Sequence, residues 1–138
     1  MNKYVAYLRT LYLLHQNAHW QCASSNFYGN HLLFQRIYED VASDVDEAAE
    51  KTIGLFGNEF LNFDNQIKLI QIVSANIKGD SFLTKSLETE KKFSKLATKI
   101  RNELSNNKLL SLGLEDMIIS HINKSENRCY LLEQANIL

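Results

Sequence analysis

Two histidines and two carboxylates are the residues of this chain whose types and spacing could bind a metal ion. His19 and His31 flank the short polar turn of the segment HWQCASSNFYGNH, in a chain with only four histidines. Asp46 and Glu50 follow in DVDEAAEK, four residues apart. Imidazole and carboxylate groups together form ligand sets that divalent transition metals accept. These four side chains are therefore the first candidates for a functional site.

The turn between the two histidines predicts that their side chains converge. His19 is expected about one turn before the end of one helix, and His31 about one turn after the start of the next. An antiparallel helical hairpin brings both to the same level. From the pattern alone, a pair of metal ligands and a pair of ordinary core histidines remain equally good interpretations.

Asp46 and Glu50 present a similar choice. Their spacing places them on one face of a helix, beside Val45, Ala49 and Ile53. Two like charges on a partly buried face are costly unless a cation neutralises them. A pair of solvated surface carboxylates is the alternative, and we expect Asp44, Glu47 and Lys51 to be surface residues of that kind.

Helix length separates the histidines from the carboxylates. His31 and Asp46 are fifteen residues apart on one predicted helix, which is roughly 22 Å at a rise of about 1.5 Å per residue. One chain cannot bring both groups to one metal ion. Two copies that pack these helices antiparallel about a two-fold axis would place the histidines of one subunit against Asp46 and Glu50 of the other. Such a dimer has two equivalent sites.

The remaining histidines and the cysteines are predicted to be structural. His15 lies one turn before the first candidate ligand and is expected in the core or as an outer partner of the site. His121 and Glu126 are five residues apart, a spacing that does not place them on one face, and no Glu-x-x-His pair of a di-iron bundle occurs. Cys22 and Cys129 are too few for a disulfide framework, and we predict buried thiols in a reducing compartment.

Four long stretches with helical periodicity must position these residues, and none alternates as a half-buried strand does. The 138 residues contain no proline and fit a single domain, predicted to span 1–138. The predicted helices run from Asn2 to Cys22, from Phe27 to Leu55, from Ser81 to Ser105 and from Leu114 to Ala135, with Asn26 as an N-cap. A short helix, Gln66 to Val73 with Asp64 as its cap, lies in the long middle connection. This pattern predicts an all-α, ferritin-like four-helix bundle with a crossover.

The second helix is the one whose inward face matters most for the candidate site. We predict that this face carries His31, Phe34, Tyr38, Val41, Val45, Ala49 and Ile53. The third helix has an apolar side opposite a dense Lys and Glu face, which we interpret as solvated.

Composition excludes several classes of protein. A formal net charge of -1, 45% hydrophobic and 22% charged residues describe an ordinary globular protein with no basic surplus for nucleic acid. No apolar run reaches the roughly 18 residues of a membrane span, and the first residues lack the apolar core of a signal peptide. We expect a cytoplasmic protein without a membrane partner.

The segment from His15 to Gly57 resembles the Dps family, ferritin-like proteins named for DNA protection in starved cells. The family pattern is a His-Trp pair, a Phe eight residues after that His, a second His twelve residues after the first, and then an Asp and a Glu four apart. The matching residues here are His19, Trp20, Phe27, His31, Asp46 and Glu50. The motif covers about a third of the chain and is specific in combination.

The resemblance implies a hollow, usually dodecameric shell of two-fold dimers. The shell oxidises Fe(II), typically with hydrogen peroxide, stores the ferric product and limits oxidative damage. By this resemblance His19 and His31 bind iron from one subunit and Asp46 and Glu50 from its neighbour, while Trp20 is an electron donor beside the site. Zn(II) or Mn(II) could occupy the same site. A bacterial or phage-encoded protein of the cytoplasm fits this picture.

The chain also departs from the family pattern. Gln35 stands where many members have an acidic residue, which weakens or removes a second metal position. The turn residues Ala23, Ser24 and Ser25 replace a lysine, a glycine and a proline. No Lys-rich tail is present, so we expect weak or no DNA binding. The alternatives are a ferritin-like shell or scaffold with little iron oxidation, phage-encoded or DNA-associated, and a small helical interaction module with core histidines.

Overall fold

Five α-helices make up this chain in a computed structural model that describes residues 1–23 and 25–137. They are α1 (Asn2–Gln21), α2 (Phe27–Phe56), α3 (Phe63–Ala75), α4 (Phe82–Asn106) and α5 (Leu112–Ala135), and a 3-10 turn (Asn58–Leu61) precedes α3. No strand occurs in the described residues. The all-α prediction is confirmed, and Asn26 occupies the N-cap position of α2. Of the substituted turn residues, Ser24 lies outside the described ranges.

Helices α1, α2, α4 and α5 form a four-helix bundle. α1 packs on α2, α4 packs on α5, and contacts of α1 with α4 and of α2 with α5 close the square. The long connection from α2 to α4 carries α3, which packs against α1. The largest apolar side chains of the core are Tyr4, Leu8, Leu11, Phe34, Ile37, Phe93, Leu114, Ile118 and Leu132. Across residues 1–23 and 25–137, none of the helices is long and apolar enough to cross a membrane.

Polar side chains set the starts of three helices. The hydroxyl groups of Ser81 and Ser111 accept backbone N–H bonds at the first turns of α4 and α5. At α3 the cap is Asn62, whose side chain accepts a bond from the amide of Asn65 at 3.0 Å. The predicted cap Asp64 is therefore wrong. This residue lies inside the first turn, where its negative charge suits the positive end of the helix dipole.

Helix α2 has two apolar faces, and the predicted inward stripe coincides with the buried one only at Phe34 and Val41. The buried residues are Asn30, Phe34, Ile37, Val41, Asp44, Ala48 and Thr52. By contrast, Val45 and Ala49 are half-buried and Ile53 is 39% exposed. Both stripes repeat at steps of three and four residues, so periodicity alone does not show which face meets the core.

A network of charged side chains lies inside the bundle. Glu90 of α4 is completely buried. Its carboxylate accepts bonds from Arg128 Nε at 2.7 Å, from Ser125 Oγ at 2.6 Å and from His15 Nε2 at 2.9 Å. Arg128 is also buried, and its Nη1 lies 2.7 Å from Asp40 Oδ2. The core position predicted for His15 is thus confirmed. Glu90 is an exception to the prediction that the charged side chains of α4 are solvated.

Asp44 completes this network from α2, so its predicted surface position is wrong. The side chain is 2% exposed and pairs with Lys124 and with Arg128. His121 is buried, as predicted, and its Nε2 lies 3.6 Å from Asp44 Oδ1 and 3.2 Å from Glu47 Oε1. Burial lowers the pKa of His121 despite these carboxylates. Asp44 follows Val41 and precedes Ala48 on the buried stripe, which explains its position.

Glu90 gives the bundle a defined sensitivity to acid. Burial alone would raise the pKa of Glu90, but the charge of Arg128 and the bond from His15 outweigh it and lower the pKa to about 2. The ordinary value is 4.5, so this carboxylate stabilises the fold above that pH and its contribution is lost as pH falls towards 2, about 3 kcal/mol in all. Urea unfolding at neutral pH and at pH 3 should reveal most of that loss. Glu90→Gln should show a flatter pH profile, and equal slopes in both proteins would contradict the assignment.

Candidate metal site

The turn between α1 and α2 brings His19 and His31 together. Their ring centroids are 3.8 Å apart and the ring planes meet at 18°. Nδ1 of each ring lies 2.7 Å from the backbone carbonyl oxygen of the other residue. Because a carbonyl oxygen only accepts, each Nδ1 carries a proton and donates it. The predicted convergence of the two side chains is confirmed.

These reciprocal bonds determine which nitrogen each ring can offer to a metal. With Nδ1 protonated, the lone pair of a neutral imidazole resides on Nε2. Phe27 stacks on His31 at a centroid distance of 5.2 Å, and Tyr38 meets the ring of His19 edge-on at 5.4 Å. The two imidazoles are therefore held in fixed orientations by backbone and by aromatic neighbours.

Asp46 and Glu50 lie further along α2, and both are exposed. The fifteen helical residues between His31 and Asp46 correspond to roughly 22 Å. Within the described part of the chain, no three His, Cys, Asp or Glu side chains form a group that could hold a metal ion. A single subunit therefore brings the histidines together but does not bring them to the carboxylates.

Asp46 lies beside an apolar groove between α1, α2 and α3. The groove has a volume of about 420 Å³ and is lined by Arg9, Tyr12, Leu13, Ala42, Val45, Asp46, Ile67 and Ile70. Leu13 and Ile67 are exposed in the single chain. Glu50 lines a different depression with Glu47 and Lys51. Apolar surface of this kind is typical of protein interaction sites.

Trp20 and Gln35 flank the histidines without completing a site. Trp20, implied as an electron donor by the family resemblance, is 60% exposed and borders a depression between α1 and α3 with Leu13 and Ile77. The Gln35 side chain donates a hydrogen bond to Glu39 Oε1 at 3.2 Å. Gln35 thus offers a neutral amide at the position where the family pattern has an acidic residue.

Sequence reasoning missed Glu90 and Arg128 as interior residues. Their positions along the helices indicated burial. Glu90 lies three residues after Leu87 and three before Phe93, and all three are buried on the same face of α4. Arg128 likewise lies between the buried Ser125 and Leu132. The charge of each side chain argued for the surface, and only the pairing of the two opposite charges makes their burial favourable.

Comparison with known proteins gives one partial sequence match. No protein-family model matches the chain. General stress protein 20U of Bacillus subtilis (strain 168) is 25% identical over 75 residues. The aligned part covers 54% of this chain and 52% of that protein, so the match spans about half the length of this relative.

The fold also occurs in solved structures, and two of them match over 99% of this chain. Dps from Thermosynechococcus elongatus superimposes with a TM-score of 0.83 at 15% identity, covering 99% of this chain and 87% of that chain. DpsC from Streptomyces coelicolor has a TM-score of 0.83 at 19% identity, covering 99% and 81%. The chain therefore has a Dps-like, ferritin-like fold, which confirms the predicted fold class.

Proposed function

We propose that this Dps-like chain is a mini-ferritin, which binds Fe(II) between two-fold-related subunits and oxidises it with hydrogen peroxide. Each site would take His19 and His31 from one subunit and two carboxylates, the partner's Asp46 and the partner's Glu50, from the other. The observation that carries the proposal is the pair of reciprocal Nδ1 to carbonyl bonds, which leaves both Nε2 atoms free for a metal. Zn(II) or Mn(II) would compete for these ligands.

The ligand set suits an ion that changes oxidation state. Two carboxylates neutralise the charge of Fe(II) and stabilise the ferric product more strongly, while two neutral imidazoles add no charge. Overall, two Fe(II) ions, one hydrogen peroxide and two protons give two Fe(III) ions and two waters. Storage of the ferric product would follow in the interior of a larger assembly, proposed to be a dodecamer.

The apolar groove beside Asp46 supports the proposed contact with a second subunit. Leu13 and Ile67 expose apolar surface there, and Val45 is half-buried on the same face of α2. An isologous contact across this face would cover the apolar groove and, by symmetry, form two equivalent metal sites. The site and the interface would then depend on the same surface.

The net charge and the two cysteines bear on two further parts of the proposal, namely DNA binding and cellular location. A net charge of -1 gives no general attraction to nucleic acid, so we propose iron oxidation without tight DNA binding. Cys22 and Cys129 are free, and burial raises the pKa of both thiols, that of Cys129 to about 11. Unreactive thiols of this kind suit the reducing cytoplasm.

Anaerobic Fe(II) titration followed by peroxide tests the proposal. The wild-type protein should bind Fe(II) and form ferric iron, whereas His31→Ala and Asp46→Ala should each lose at least ~10-fold in affinity, the effect seen even for outer partners of metal ligands. Asp116→Ala removes an exposed carboxylate at the start of α5 and should behave as wild type.

Two results would contradict the proposal. Iron oxidation no faster than in buffer, in an intact assembly, would favour the shell or scaffold alternative. A stable monomer in light scattering would exclude a site shared between subunits.

A further inference from the structure

We infer that Glu39 pairs with the partner's Arg9 across the two-fold contact and so determines the register of the two α2 helices. This inference rests on the proposed function and names the residues that recognise a second copy of the chain. It concerns the side of α2 that faces away from the core. Eight residues recur there at alternating steps of four and three, and all are exposed or half-buried: Tyr28, Leu32, Gln35, Glu39, Ala42, Asp46, Ala49 and Ile53. We call them the outer stripe.

The spacing of the outer stripe is the seven-residue repeat by which one helix lies along another. In an antiparallel pair every stripe residue meets another stripe residue when Glu39 faces the partner's Ala42. This register also pairs Gln35 with the partner's Asp46, Leu32 with the partner's Ala49 and Tyr28 with the partner's Ile53. His31 is then level with the partner's Glu50, as a shared metal site requires. A shift by one repeat would separate these two ligands by roughly 10 Å along the helices.

Arg9 lies beside Ala42 in the apolar groove between α1, α2 and α3. Its Nη1 donates a hydrogen bond to Gln66 Oε1 at 3.4 Å. Gln66 is buried, and its own Nε2 donates to the backbone carbonyl of Asn2 at 2.9 Å. A guanidinium has five N–H donors, so one bond to an amide oxygen leaves most of them for an anion. Arg9 is therefore held next to the position that Glu39 of the partner subunit would reach.

The charges of the two side chains are complementary. Within residues 1–23 and 25–137 of one subunit, neither Arg9 nor Glu39 forms an ion pair. A second subunit that covers the groove removes water from Arg9, and an unpaired buried cation is costly. The partner's Glu39 neutralises it, and the small side chain of Ala42 leaves room for the longer carboxylate. The two-fold axis forms the pair twice in each dimer.

Charge reversal in the metal-free, full-length protein tests this pairing. Arg9→Glu places two carboxylates against each other in every dimer, and Glu39→Arg places two guanidinium groups against each other. Each variant should dissociate at a concentration at least ~30-fold higher than the wild type in analytical ultracentrifugation. Lys95→Glu, a similar charge reversal at an exposed position of α4, should associate as the wild type does.

An equimolar mixture of the two reversed variants provides the decisive comparison. Both contacts of a mixed dimer join opposite charges, so the mixture should regain association close to that of the wild type. This recovery also shows that the variant subunits are folded. Wild-type association of either variant alone, or a mixture that dissociates as its components do, would overturn the inference.

A thiol cross-link tests the register while Arg9 keeps its charge. Chains with Glu39→Cys mixed with chains with Ala42→Cys should be joined by a short thiol-reactive cross-linker. Glu39→Cys mixed with Ile53→Cys should not, because this position lies roughly 16 Å along the helix from Ala42. The wild type, with its native cysteines, gives the background. Equal cross-linking in the two mixtures would overturn the inferred register.

Neither readout depends on iron chemistry, so the two proposals fail separately. Dimers with the predicted charge dependence that form no ferric iron would overturn the proposed function alone. Ferric iron formed at shared sites, in dimers that are indifferent to charge reversal, would overturn the inference alone. A wild type that remains a monomer would overturn both.

Discussion

Equal amounts of His31→Ala and Asp46→Ala chains are expected to regain iron oxidation after their subunits exchange, although neither variant oxidises iron alone. In a mixed dimer, one site lacks both an imidazole and a carboxylate. The other site combines the intact histidine pair of one chain with the intact carboxylates of the other. Random exchange makes half of the dimers mixed, so about a quarter of all sites should be functional. Ferric iron formed on addition of peroxide, before and after exchange, measures the recovery.

The matched control places both substitutions in one chain and mixes that chain with the wild type. If sites are shared, a mixed dimer contains no intact site, and about a quarter of sites survive in the wild-type dimers alone. If each subunit held a whole site, the first mixture would stay inactive and this second mixture would keep about half of its sites. The two mixtures therefore distinguish a shared site from a site within one subunit, provided that labelled subunits show exchange.

Arg128→Met is expected to destabilise the bundle by about 3 to 5 kcal/mol, the usual cost of removing one partner of a buried ion pair. The substitution keeps an unbranched side chain but removes the cation that lies 2.7 Å from the fully buried Glu90. Asp44, also buried, loses one of its partners. Urea unfolding of the variant and the wild type at equal protein concentration measures the difference.

A second substitution shows whether unpaired charge causes this loss. Arg128→Met combined with Glu90→Gln removes both charges and should recover part of the stability, because neutral replacement of a whole pair is much less costly. Lys95→Met, at an exposed position of α4, should change stability by less than about 0.5 kcal/mol. A double variant no more stable than Arg128→Met alone would contradict the role of charge.

The helices and the crossover were predictable because each long helix carries a sustained apolar repeat and ends at a recognisable polar or glycine residue. The error on α2 has a physical cause. This helix has one apolar stripe for the core and a second around Val45 and Ala49, and a periodic pattern does not identify the surface that each stripe meets. Asp44 is buried because it lies on the first stripe, which faces the core.

The candidate site was predictable to a different extent. The spacing of His19 and His31 was enough to predict their convergence. Helix length was enough to predict that one subunit does not bring them to Asp46 and Glu50. The exchange of bonds between each imidazole and the opposite carbonyl depends on the exact approach of α1 and α2. The contact of Tyr38 with His19 has the same origin. Neither follows from residue type and spacing.

The guanidinium of Arg128 also replaces a role that a metal ion has in other folds. Many metalloproteins depend on their metal to complete folding, because the ion compensates carboxylates buried in the interior. In this bundle the chain provides that positive charge itself, between Glu90 on α4 and Asp40 and Asp44 on α2. The interior of the subunit is therefore complete without a metal ion. Under the proposed function, iron would bind to and leave a bundle whose buried charges are already paired.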